Sequence, residues 1–242
     1  MLPFDKSLLI IPTYNEIDNI ERMLTTLKKL YPELSVLIID DGSPDGTAEV
    51  VKKYQEDWDQ LHLIQREGKL GLGTAYITGF RFAFERDYEF VFEMDCDFSH
   101  DPNDIPVLLE AAQTNDLIIG SRYINGIRII NWPMRRLLLS YFAGVYTRII
   151  TGMSILDATG GFKCFRRSAL ESLNLDKVFS NGYSFQIELN FKVYSKQLKV
   201  KEVPIVFTER RDGESKMSGG IVFEAVFAVI KLRLRKIFGI LH

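Results

Sequence analysis

The sequence predicts an α/β fold with a mostly parallel central sheet and helices on both faces. Three observations carry that prediction. Through residue 120, short β-branched apolar runs alternate with segments of helical period. The apolar runs are continuous rather than alternating, as in strands covered on both sides. Polar clusters follow three of these runs directly, where an open parallel sheet places its ligand-binding loops.

The elements follow in order. Ser7-Leu8-Leu9-Ile10-Ile11 reads as a buried strand. Residues 16–30 read as a helix with Ile17, Ile20, Leu24 and Leu27 on one face. Val36-Leu37-Ile38-Ile39 is a second strand, followed by a helix over 45–54. Residues 61–65 and 73–85 form the third strand and helix, and 88–94 and 102–114 the fourth pair. Leu117-Ile118-Ile119 is a fifth strand. The alternation then stops. Residues 132–153 form a helix rich in Leu, Ile, Tyr and Phe that also carries Arg135, Arg136 and Arg148. Another helix covers 184–195, and 200–207 is strand-like. Residues 210–220 are polar and rich in Gly and Ser, hence a loop. Residues 221–241 form an apolar helix that turns basic at Lys231, Arg233, Arg235 and Lys236. There is no internal repeat and no linker, so the 242 residues read as one domain with a C-terminal elaboration.

Composition narrows the function. Hydrophobic residues make up 46% and charged residues 26%, as in an ordinary folded protein. Thirty basic against 32 acidic residues argue against a chain built to coat nucleic acid. Two cysteines build no disulfide framework, and three histidines with no paired spacing build no structural zinc site. Carboxylates remain available for a hard, oxygen-loving cation. Met1-Leu2-Pro3-Phe4-Asp5-Lys6 lacks the apolar run of a signal peptide. No uncharged stretch approaches the roughly 18 residues of a membrane span. A cytoplasmic chain, peripheral to a membrane at most, is expected.

The chemistry is concentrated in the polar clusters. The first strand ends in Pro12-Thr13-Tyr14-Asn15-Glu16, and the second in Asp40-Asp41-Gly42-Ser43-Pro44-Asp45-Gly46-Thr47. The fourth ends in Asp95-Cys96-Asp97-Phe98-Ser99-His100. Alternate residues of an extended segment point the same way, so Asp95 and Asp97 can address one Mg2+ or Mn2+. The bland alternative is a solvated turn. Asp45 or Ser43 can cap the second helix, yet capping leaves the adjacent acids Asp40 and Asp41 unexplained. Gly68-Lys69-Leu70-Gly71-Leu72-Gly73 matches neither phosphate-loop pattern and reads as a flexible turn. His100 is either a base or a residue closing its turn. Cys96, between two acids, is no nucleophile.

These clusters resemble those of family-two inverting glycosyltransferases of GT-A fold. The likeness narrows along Lys69-x-Gly71-Leu72-Gly73-x-Ala75-Tyr76, Met94 to His100, Gly120-Ser121-Arg122-Tyr123 and Gly161-Phe162-Lys163. Gly182-Tyr183-Ser184-Phe185-Gln186-Ile187-Glu188 and Gly213-Glu214-Ser215-Lys216 extend it. Together the motifs resemble those of polyprenyl (dolichyl)-phosphate mannosyltransferases over roughly residues 7–218. The resemblance implies transfer of mannose from GDP-mannose to a polyprenyl phosphate. It implies a nucleotide-sugar site of Pro12, Tyr14, Glu16, Asp40, Asp41, Lys69, Asp95, Asp97, Arg210 and Lys216. Asp95 and Asp97 would hold Mg2+ or Mn2+. A glutamine that some relatives carry two residues after the second aspartate is Ser99 here, a weaker ligand. Arg122, Arg136 and Ser140 would grip the acceptor phosphate, and Arg136 and Ser140, four apart, would share a helix face. Asp97, Arg122, Arg210 and Lys216 would carry the chemistry. Residues 1–120 would then form a nucleotide-sugar half, 121–218 an acceptor half, and 219–242 a basic amphipathic helix.

A lipid acceptor implies contact with a membrane surface, through the two apolar-and-basic helices or through a small membrane partner subunit. The alternative for those helices is packing on the domain with their basic residues in water. A UDP-glucose transferase to the same lipid, and a non-catalytic nucleotide-sugar-binding protein, are the competing functional readings. A Rossmann-type oxidoreductase lacks its Gly-x-Gly-x-x-Gly after the first strand.

Overall fold

The computed structural model describes residues 2–180, 182–209 and 219–241. The alternation appears as β1 (Ser7–Thr13), α1 (Ile17–Leu30), β2 (Ser35–Asp40), α2 (Thr47–Gln55), β3 (Leu61–Gln65) and α3 (Leu72–Phe84). It continues with β4 (Phe90–Glu93), α4 (Ile105–Ala112) and β5 (Leu117–Ser121). Beyond lie β6 (Ile129–Ile130), α5 (Met134–Thr151), β7 (Lys163–Arg166), α6 (Arg167–Ser172), α7 (Gly182–Ser195), β8 (Val200–Pro204), β9 (Phe207–Thr208) and α8 (Gly219–Ile237).

Seven strands form one sheet in the order β3-β2-β1-β4-β7-β5-β8. All neighbours are parallel except β7, which runs antiparallel to both β4 and β5. The strand-like stretch 200–207 is split: β8 closes the main sheet, while β9 pairs with β6 in a separate two-stranded ribbon. α8 begins at Gly219, inside the segment expected to be loop, and ends at Ile237.

Every residue of β2, β4 and β5 is buried, as continuous apolar runs require. One face of the sheet packs Leu9, Ile11, Val36 and Ile38 against Ile20, Met23, Leu24 and Leu27 of α1 and Leu108 and Leu109 of α4. Ile17, expected on that face of α1, is instead largely exposed in its first turn. The other face packs Leu8, Ile10, Leu37 and Ile39 against Tyr76 and Phe80 of α3 and Phe185 and Leu189 of α7. α3 lies so close that a Cβ on Gly79 would stand 2.6 Å from Ile10. Among the described residues no helix is long and apolar enough to cross a membrane.

Candidate active site

The carboxyl ends of β1, β2 and β4 open on one cavity of about 630 Å3. Pro12, Tyr14, Glu16, Asp41, Lys69, Asp95, Asp97, Ser99, Arg122, Arg136 and Ser140 all line it. Residues singled out from widely separated segments therefore meet at one wall. Arg210 and Lys216, with the Gly213–Lys216 motif, lie outside the described residues.

The first two polar clusters are one hydrogen-bonded unit. Backbone N–H groups of Asn15, Glu16 and Ile17 donate to Ser43 Oγ, Thr47 Oγ1 and Asp45 Oδ2 at 3.0, 3.1 and 3.1 Å. The second loop thus caps α1 as well as its own helix, where Thr47 N–H donates to Asp45 Oδ1. The two adjacent acids divide their work. Asp40 is fully buried and accepts from Thr13 Oγ1, Ser43 N–H and Ser43 Oγ, so it shapes the loop from within and does not line the cavity. Asp41 faces the cavity and takes Arg66 Nε at 2.6 Å. Arg66 also donates to Thr74 Oγ1 and Gly71 O, which ties the glycine-rich turn to β2. The Lys69 amine lies 4.6 Å from the Tyr14 ring centre, within cation–π range.

After β4 the chain turns sharply. Phe98 has φ of 57°, a left-handed conformation uncommon for a side chain of its size, and its ring packs under Arg22. The turn lets Ser99 N–H donate to Asp97 Oδ1 at 3.0 Å and brings His100 Nδ1 to accept from Asp95 N–H at 3.2 Å. His100 is buried, stacked on Phe162, and burial pulls its imidazole down to about 4 against the opposing pull of Asp97. Its Nδ1 closes the turn by accepting from Asp95 N–H. Burial pushes the Cys96 thiol well up, away from any thiolate role. Asp95 and Asp97 supply hard oxygen donors on one cavity wall, and among the described residues no third His, Cys, Asp or Glu joins them in a metal-sized group. That pair fits an ion such as Mg2+ or Mn2+ that takes its remaining ligands from phosphate and water.

Behind Asp95 lies a buried polar cluster. Lys163, at the start of β7, donates to the Gln186 side-chain and main-chain oxygens, and its amine is 3.9 Å from Glu93. Burial lowers the lysine's affinity for its proton and raises that of Glu93. The Gly161-Phe162-Lys163 and Gly182–Glu188 motifs thus meet in space.

At the other end of the cavity, Arg122 is held by Asp157. Its backbone N–H and Nε reach Asp157 Oδ2 at 2.9 and 2.7 Å, and Nη2 reaches Oδ1 at 2.6 Å. Arg136 and Ser140 share the cavity face of α5, as their spacing predicts. Ser140 Oγ accepts from Tyr123 OH at 2.6 Å, and Arg136 Nη1 donates to Glu209 Oε1. The wall beyond is apolar: Leu139, Phe142, Ala143, Val226 and Val229. α5 and α8 touch there through Tyr146 OH and Val226 O. Met134, Phe142 and Ile149 of α5, Phe227 and Ile237 of α8, and Phe238 just past it are more than half exposed.

Arg66, Asp157 and Glu209 escaped the sequence reading. The only signals were an arginine just past β3 and a lone acid beside Thr159-Gly160-Gly161. Nothing in the sequence pairs either with its partner.

Residues 8–173 match the family Glycosyl transferase family 2. A Micrococcus luteus protein named undecaprenyl-phosphate mannosyltransferase is 45% identical over 224 residues, covering 93% of this chain and 92% of that one. A Mycolicibacterium smegmatis polyprenol monophosphomannose synthase is 43% identical over 235 residues, covering 96% and 89%. A solved Mycobacterium tuberculosis glucosyl-3-phosphoglycerate synthase, in complex with Mn2+, UDP-glucose and phosphoglyceric acid, superposes with a TM-score of 0.69 at 18% identity. It covers 94% of this chain and 79% of its own, a likeness of fold. The chain belongs to glycosyl transferase family 2, and its seven-stranded sheet is the GT-A fold.

Proposed function

We propose that the protein transfers mannose from GDP-mannose to a polyprenyl phosphate, with inversion at the anomeric carbon. One observation carries the reading. A single cavity is lined by acidic residues, by an arginine pair and by apolar side chains of two helices. A donor diphosphate, an acceptor phosphate and the start of a lipid chain need those three surfaces. Relatives that share almost the whole chain and are named for this lipid and sugar support it.

Pro12, Tyr14, Glu16 and Asp41 cradle the guanosine, with Asp40 bracing their loop and Lys69 beside the phosphates. Asp95 and Asp97 would hold Mg2+ or Mn2+, which when bound neutralises charge on the diphosphate. Arg122, Arg136 and Ser140 orient the acceptor phosphate, and Arg210 and Lys216, by the resemblance, belong to a loop that closes over donor and acceptor phosphates. A phosphate is already anionic at neutral pH. Its oxygen bonds to carbon one from the face opposite the diphosphate, the bond from carbon one to the leaving oxygen breaks, and GDP departs with the electron pair. No general base is needed. Catalysis is positioning and charge stabilisation.

In this reading residues 1–120 serve the nucleotide sugar, 121–218 the acceptor, and 219–242 the bilayer, all within one domain. The exposed apolar faces of α5 and α8, with Lys231 and Arg235 nearby in the chain, rest at the headgroup level of a cytoplasmic membrane face. A small membrane subunit is the other way to reach the lipid. Purified protein should sediment with anionic liposomes at low salt and be released at high salt. Failure to sediment would favour the subunit.

The deciding experiment offers labelled GDP-mannose, and separately UDP-glucose, with polyprenyl phosphate and Mg2+ or Mn2+, and counts label in the organic phase. Label from GDP-mannose alone, lost with chelator, is expected. Label from UDP-glucose alone would move the donor, and label from neither would overturn the reading.

A further inference from the structure

Two arginines face the acceptor end of the cavity, and both are already neutralised. Their counter-ions differ sharply. Asp157 is fully buried and accepts from three nitrogens of Arg122, including its backbone N–H. It cannot leave without stranding a buried cation. Glu209, just past β9, meets Arg136 through one oxygen and one Nη1, and both side chains retain about a fifth of their exposure. Glu209 Oε2 and Arg136 Nε are buried and have no hydrogen-bond partner among the described residues. The pair is therefore end-on and half used. The guanidinium plane itself is set independently, 4.1 Å over the Trp132 ring.

We propose that Glu209 is a displaceable counter-ion that sets acceptor affinity: the acceptor phosphate takes its place on Arg136. This rests on the reading of Arg136 as an acceptor-phosphate ligand. A phosphate has three oxygens and can span Nη1 and Nη2 of the guanidinium, where Glu209 engages Nη1 alone. With Glu209 in place, an entering dianion meets a carboxylate of like charge. Glu209 is the only one of the two acids able to swing toward solvent. Weak anions and neutral lipids then fail to enter, because they cannot outcompete a carboxylate already there.

The test is calorimetric titration of farnesyl phosphate, a short soluble lipid phosphate, into wild type, Glu209→Gln, Glu209→Ala, Arg136→Gln and the Glu209→Gln/Arg136→Gln double variant. Both Glu209 variants are expected to bind about tenfold tighter than wild type, and Arg136→Gln at least about tenfold weaker. The gain from Glu209→Gln is expected to vanish without Arg136. Equal or weaker binding by the Glu209 variants, a gain that survives loss of Arg136, or no binding to any form would overturn the proposal. Mannose transfer by wild type is read separately. Its absence alongside the expected binding pattern would overturn the mannosyltransferase reading and leave the role of Glu209 standing.

Discussion

At the end of the cavity proposed for the donor, Asp41 meets Arg66 across 25 residues of sequence, and both sit on neighbouring loops of adjacent parallel strands. At the end proposed for the acceptor, Arg122 meets Asp157 across 35 residues and Arg136 meets Glu209 across 73. Both ends set acid beside cation. The donor end does so with loops that the strand order brings together of itself. The acceptor end borrows partners from β9 and from the approach to β7. The donor end is therefore braced by the sheet, and the acceptor end by individual ion pairs whose strength varies from pair to pair.

The largest expected effect tests whether the donor end does chemistry at all. Asp97→Ala should lower transfer by at least about a thousandfold while the melting temperature stays near wild type. Full turnover by a folded variant would remove that end from the reaction. Next comes the brace of the acceptor end. Asp157→Asn should destabilise the fold by about 3–5 kcal/mol in urea, because a buried Arg122 loses its partner. Glu209→Gln should leave the urea midpoint almost unmoved. Equal losses would erase the distinction between locked and loose pairs. A smaller effect separates the two ends kinetically. Arg66→Ala should raise the KM for the nucleotide sugar about tenfold and leave that for the lipid phosphate unchanged.

The smallest effect concerns a charge behind the donor end. Burial, with help from Asp101, raises Asp104 to about 6. A raised carboxyl favours the folded state only while protonated, so its ionisation lowers stability as pH climbs from about 4 to 6. Asp104→Asn should therefore raise the melting temperature by about 1–3 °C at pH 8 and not at all at pH 4. It should leave transfer unchanged at either pH. A gain at pH 4 as well would mean that charge is not the cause.

The contrast between the two ends also explains what the sequence could tell. β1 and β2 were legible as continuous apolar runs and α1 by its helical period, each locally consistent. The polar clusters at their ends were legible because a parallel sheet collects such ends on one edge. β7 was not. Lys163-Cys164-Phe165-Arg166 is four residues with a charge at each end, too short for any period and bracketed like a loop. β6 and β9 have two residues each and are strands only because they pair. The division of labour between Asp40 and Asp41 was equally hidden, since adjacent residues of a strand point opposite ways and the sequence does not say which faces the cavity. Asp157 and Glu209 became visible only with the fold, for nothing local marks an acid as the partner of an arginine so far away.

The strand β7 carries a consequence for how the protein is made. β4 and β5 are not paired with each other; β7 lies between them and is hydrogen-bonded to both. When residue 121 has left the ribosome, one edge of β4 and both edges of β5 still lack their neighbours, and those arrive only with β7 and β8. The two parts that the proposed function divides by task are not divided in biosynthesis. A fragment ending near residue 120 would present bare, apolar strand edges to other chains, and should aggregate rather than bind nucleotide.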